Sequence, residues 1–159
     1  MQLTYLGGAT VRGIEMLTLK TGAGNDTIKT LATVTADTGR HGHSDLIETN
    51  DGNDAVTITG GYDTVAMGTG TDTLTVDWSL IDRSMGTYDV NGTGGVVLTG
   101  SLETGYSGIY FGDDWRYYNR VDFSGVEHFI IRSGAGNDGI RTGDGNDTVV
   151  SGAGNDHLI

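Results

Sequence analysis

Residues 133–159 read SGAGNDGIR TGDGNDTVV SGAGNDHLI, three nine-residue units with nothing between them. Each has glycine at its second and fourth places, aspartate at its sixth and an aliphatic residue at its eighth. A unit of that length holds one turn and one short strand, which cannot enclose a core alone. The period therefore constrains the chain to a solenoid in which each unit packs on its neighbours.

The residue types set the chemistry of the turns. Glycines at alternate places let the backbone adopt positive φ and curl tightly with its carbonyls unshielded, and Asn before Asp suits the same turn. Carbonyls plus one carboxylate at fixed spacing form a hard, adaptable oxygen cage. Such a cage suits Ca2+ better than Mg2+, which demands tighter octahedral geometry and keeps its waters. The last three places, such as Thr148, Val149 and Val150, read as a short strand with the eighth residue inward.

The same register occurs earlier. Residues 21–29 are TGAGNDTIK, carrying Asp26. From Arg40 to Thr75 the units RHGHSDLIE, TNDGNDAVT, ITGGYDTVA and MGTGTDTLT set Asp45, Asp54, Asp63 and Asp72 nine residues apart. His41 and His43 replace both glycines of the first of these, and Thr59 replaces one in the third. The tight curl is weakened there, because a side chain at positive φ is strained. A flexible Gly/Asp-rich linker would not keep eight aspartates in register, which sets that reading aside. A zinc site on His41 and His43 fails too, since two imidazoles with no further His or Cys nearby fall short of a three- or four-ligand set. Nor are these phosphate loops, for no Gly-Lys-Ser/Thr follows and no helix begins there.

These units resemble the RTX, or haemolysin-type, calcium-binding repeat, GGxGxDxUx with U a large aliphatic residue. The resemblance implies an all-β fold, a right-handed parallel β-roll with two nonapeptides per coil, so that turns on one edge are eighteen residues apart. It implies several Ca2+ ions, each held by sixth-place carboxylates from two stacked turns. Second- and fourth-place carbonyls come from the upstream turn, and first- and third-place carbonyls from the downstream one. On that basis Asn50, Gly52 and Asp54 face Met67, Thr69 and Asp72, and Gly134, Gly136 and Asp138 face Ser151, Ala153 and Asp156. His41, His43 and Asp45 face Ile58, Gly60 and Asp63 in the same way. Asp26 and Asp45 are nineteen apart and would pair through Gly22 and Gly24 with Arg40 and Gly42. Asp147, with Gly143 and Gly145, has Phe129 eighteen residues before it and no partner turn after it. It is expected to hold a half-site in a roll that continues beyond this sequence.

Residues 76–132 break the period and carry most of the aromatics, among them Tyr110, Trp115 and Tyr117. Alternation around 96–98, 109–111 and 128–131 predicts strands. The expected organisation is lead-in strands plus a first array over 1–75, an inserted β segment over 76–132 and a second array over 133–159, forming one continuous unit. A longer repeat frames it. Residues 11–30 align without gaps to 123–142 at an offset of 112, pairing Gly13 with Gly125, Glu15 with Glu127 and Asp26 with Asp138.

Composition narrows the function. The chain of 159 residues has 28 Gly, no Pro, no Cys and a formal charge of −12. It has no apolar run long enough to span a membrane and no basic cluster to meet nucleic acid, and residues 1–20 lack the pattern of a cleavable signal peptide. One aliphatic residue per nine is little core for so much ordered backbone, and stacked carboxylates repel until a cation lies between them. With no disulfide available, metal is expected to stabilise the fold. The leading expectation is a calcium-responsive structural module of a secreted bacterial protein, extracellular or on the cell surface, whose partners are calcium and neighbouring repeats. No nucleophile, base and orienting group converge, so an enzyme is not expected. The alternative is an adhesin segment in which Tyr110, Trp115 and Tyr117 stack on a cell-surface glycan; otherwise those aromatics fill the core of the insertion.

Overall fold

The computed structural model describes residues 16–30, 44–80, 106–109, 120–135, 137–140, 142 and 145–158. Among these there is no helix, and the chain winds in coils of one strand, a turn and a second strand. The first coil is β1 (Thr18–Lys20) and β2 (Thr27–Lys29), the second β3 (Leu46–Glu48) and β4 (Ala55–Ile58), the third β5 (Tyr62–Ala66) and β6 (Thr73–Asp77). After β7 (Tyr106–Ile109) come the fourth coil, β8 (Arg120–Ser124) and β9 (His128–Arg132), and the fifth, β10 (Gly139–Ile140) and β11 (Thr148–Val150). β12 (His157–Leu158) follows the turn after β11.

Alternate strands fall on opposite walls. The first wall runs β1-β3-β5-β8-β7 and the second β11-β9-β6-β4-β2, while β10 and β12 pair separately. All neighbours are parallel except β7, which is antiparallel to β8. The chain is thus an all-β parallel roll. Strand alternation explains the core: Ile47, Val56, Val65, Leu74 and Val76, at every second place, are at most 1% exposed. Most of these are eighth-place aliphatics. In the fourth coil, Phe123 and Phe129 meet edge to face with ring centroids 4.9 Å apart, an orientation favoured by the ring quadrupole.

Three features differ from the sequence expectation. The segment 76–132 is not wholly an insertion. β6 extends to Asp77, and 120–132 forms a regular coil whose strands pair in parallel with β5 and β6. Its alternating apolar residues suffice for a roll strand without the glycine turn, which is why the nine-residue period missed it. Second, β7 takes the place beside β8 on the first wall, so the ladder passes from β8 to β7, and among the described strands β10 pairs only with β12. Third, the two copies of the longer repeat lie half a coil out of phase. Residues 18–20 are on the first wall, whereas their counterparts 130–132 are in β9 on the second. Of the other expected strands, 96–98 lies outside the described residues.

Candidate metal centre

The sixth-place aspartates share the inward row with the aliphatics two places on. Asp54, Asp63, Asp72 and Asp138 are at most 2% exposed. Three pairs of turns are joined by the same bond: the Asp54 N–H donates to Asp72 Oδ1 at 2.8 Å, the Asp45 N–H to Asp63 Oδ1 at 3.0 Å and the Asp138 N–H to Asp156 Oδ1 at 3.0 Å. The fifth-place asparagines work in the opposite sense. Asn53 Oδ1 accepts the Thr71 N–H at 2.9 Å, and Asn137 Oδ1 accepts the Asn155 N–H at 2.8 Å. The Asn-Asp pair therefore satisfies two turn N–H groups that the strand ladders do not reach, a stronger reason for the motif than turn preference alone.

In three of these turns one carboxylate oxygen is left over. Asp54 Oδ2, Asp63 Oδ2 and Asp72 Oδ2 are buried with no hydrogen-bond partner. An unsatisfied buried polar atom costs about 1–3 kcal/mol, and more when it is charged. Burial pushes the Asp63 carboxyl up to about 7, opposed by the Asp45 N–H and reinforced by the Asp45 charge. Burial raises Asp72 as well, with Glu127 and Asp54 adding to the effect. The turns that carry Asp54 and Asp72 are closely stacked. Gly68 (φ 85°) and Gly70 (φ 148°) pack so closely on the carbonyls of Asn50 and Gly52 that a Cβ at either would overlap them. Asn50 itself holds φ 69°, a conformation asparagine tolerates better than most residues.

The structure brings together the pairs Asp54/Asp72, Asp45/Asp63 and Asp138/Asp156. It does not pair Asp26 with Asp45. The Asp26 N–H donates to Asp54 Oδ1 at 2.8 Å, and β2 pairs with β4 with Thr27 opposite Ala55, so that coil spans 28 residues instead of nineteen. Gly22 and Gly24 therefore stack on the 49–54 turn. Asp45 lies on the opposite edge, where it accepts the Leu17 N–H at 2.9 Å. The reason is the walls: Asp26 leads into the second and Asp45 into the first, so a turn-to-turn stack cannot join them. Asp147 stacks on Phe129, whose N–H it accepts at 2.9 Å.

Several expected carbonyl ligands already accept bonds between coils: Asn50 O from the Thr69 N–H at 3.0 Å, Thr69 O from the Gly52 N–H at 2.9 Å and Gly134 O from the Ala153 N–H at 3.1 Å. Met67 O and Ser151 O accept hydroxyls from Thr49 and Ser133. A carbonyl has two lone pairs, so each retains one. Ile58 and Gly60 flank the turn before Asp63, with Ile58 in the core and Gly60 at φ 152°. Gly145 has φ 146°. Arg40, His41, Gly42, His43, Gly136, Gly143, Tyr110, Trp115 and Tyr117 lie outside the described residues.

Sequence reasoning missed Glu127, whose Oε2 accepts the Asp72 N–H at 2.8 Å as an aspartate would. Its signal was the alternation Glu127, Phe129, Ile131, which puts it in the inward row. Among the described residues no three His, Cys, Asp or Glu side chains cluster as a metal site, consistent with turns that offer two carboxylates and otherwise backbone oxygen. Orphaned, buried carboxylate oxygens in turns whose carbonyls stack closely fit a hard divalent cation.

Four copies of the RTX calcium-binding nonapeptide repeat match the chain, over residues 18–32 and 130–158. No curated protein and no solved structure matches it. Over those two segments the chain is similar to RTX repeats, a calcium-binding nonapeptide. The turns at 49–54 and 67–72 fall outside the matched segments yet have the same carboxylate stack.

Proposed function

We propose that the chain is a calcium-folded structural module of a secreted bacterial protein, with ions held between the stacked turns at Asp26/Asp54, Asp54/Asp72, Asp45/Asp63 and Asp138/Asp156. The observation that carries this reading is the buried, partnerless Oδ2 of Asp54, Asp63 and Asp72. Bound calcium would neutralise carboxylates that otherwise repel one another about a strand spacing apart. The protein's own residues do the rest: the Asp54/Asp72 and Asp138/Asp156 bonds set the carboxylates in register, and the glycines bring carbonyls beside them.

A calcium-poor interior would favour the unfolded chain and a calcium-rich exterior the folded one, which suits export; the lack of cysteine agrees with metal replacing disulfides outside the cell. Among the described residues no helix is long and apolar enough to cross a membrane. The role is structural and not catalytic. Circular dichroism during a calcium titration, with magnesium as control, tests the proposal. Strand signal should appear with calcium and not with equal magnesium; a chain fully folded in chelator would overturn it.

A further inference from the structure

We infer that Asp72 and Glu127 form an additional cation site, of non-consensus make-up, at the junction of the two repeat arrays. It rests on the reading that calcium binds between stacked turns, and adds a site the nine-residue pattern does not contain. Residues 125–127 cross between β8 and β9 where 67–72 cross between β5 and β6, so the fourth-coil turn lacks three residues and has no sixth-place aspartate. Glutamate, one methylene longer, reaches the same place. Its Oε2 accepts the Asp72 N–H at 2.8 Å, just as Asp72 Oδ1 accepts the Asp54 N–H at 2.8 Å.

Two further observations point to a ligand there. Asp72 is 0% exposed, and its Oδ2 has no hydrogen-bond partner although carboxylates lie in the coils on either side. The two turns also stack closely beside it: a Cβ built on Gly125 would come within 2.6 Å of the Gly68 carbonyl oxygen, so glycine is what permits the approach. Two carboxylates begin the oxygen set of a calcium-class cation, and backbone carbonyls of the stacked turns and water can complete it. The position matters for the fold. On the opposite edge Asp63 is in register with Val121, which offers no carboxylate, and on the first wall β7 displaces the roll's own next strand. Among the described residues, Glu127 is what carries the carboxylate column past the third coil.

The test is an ion count. Native mass spectrometry of the calcium-saturated chain should show one ion fewer for Glu127→Gln than for the parent, because glutamine keeps an acceptor for the Asp72 N–H but removes the charge. An equal count in a folded Glu127→Gln variant overturns the inference. If that variant does not fold, anomalous diffraction from the calcium-loaded parent decides: a peak within about 2.3–2.6 Å of both Asp72 and Glu127 oxygens supports the site. Peaks at Asp54/Asp72 with none at Asp72/Glu127 overturn this inference alone, and no bound calcium anywhere overturns the proposed function as well.

Discussion

Asp26 is the residue whose partner the nine-residue spacing and the structure assign differently, and a pair of double-mutant cycles separates them. The Asp54→Asn change leaves an oxygen to accept the Asp26 N–H, 2.8 Å away in the parent, and removes only charge. Two carboxylates about 5 Å apart repel by about 3 kcal/mol at an effective dielectric of about 20. Without calcium, losing either charge relieves up to about that much; with calcium, the same change removes a ligand. Because Asp26 and Asp54 meet at one site, the effects of Asp26→Asn and Asp54→Asn on the calcium midpoint, read by circular dichroism, should be non-additive by about 0.5–3 kcal/mol. Asp26 and Asp45 lie on opposite edges, so Asp26→Asn and Asp45→Asn should add within about 0.5 kcal/mol. Asp54→Asn should also exceed Asp26→Asn, because Asp54 stacks on Asp72 as well. Coupling of Asp26 with Asp45, together with additivity of Asp26 with Asp54, would refute the 28-residue stack.

Two further outcomes are expected. Gly68→Ala should cost about 1–3 kcal/mol in calcium-saturated urea unfolding, since φ 85° and the Asn50 carbonyl both oppose a side chain, whereas Gly22→Ala, with open space around it, should change stability by less than about 0.5 kcal/mol; equal effects would show that the turns do not pack as described. Asp63 has a folded pKa of about 7, above its ordinary 3.8, so the folded state binds the extra proton and the chelated chain should gain structure as pH falls from about 7 towards 4. Calcium competes with that proton, so its midpoint should rise over the same range, and a midpoint flat between pH 8 and about 5 would count against a buried Asp63.

The sequence alone determined the local architecture, because a nine-residue period of glycine, aspartate and aliphatic residue is satisfied by one turn and one inward-facing strand. Register within the runs 40–75 and 133–159 followed from it, since two units make a coil and Asp54 must meet Asp72. Tertiary structure decided what happens where the period fails. Residues 30–39 separate the unit of Asp26 from the run that begins at Arg40, and only the wall on which each strand lies shows that Asp26 stacks on Asp54. A three-residue turn likewise left no periodic mark, so the fourth coil read as insertion and Glu127 only as the counterpart of Glu15. Both belong to the roll because parallel pairing and an inward row depend on side-chain alternation, which tolerates turns of different length, while a repeat in sequence registers only turns of equal length.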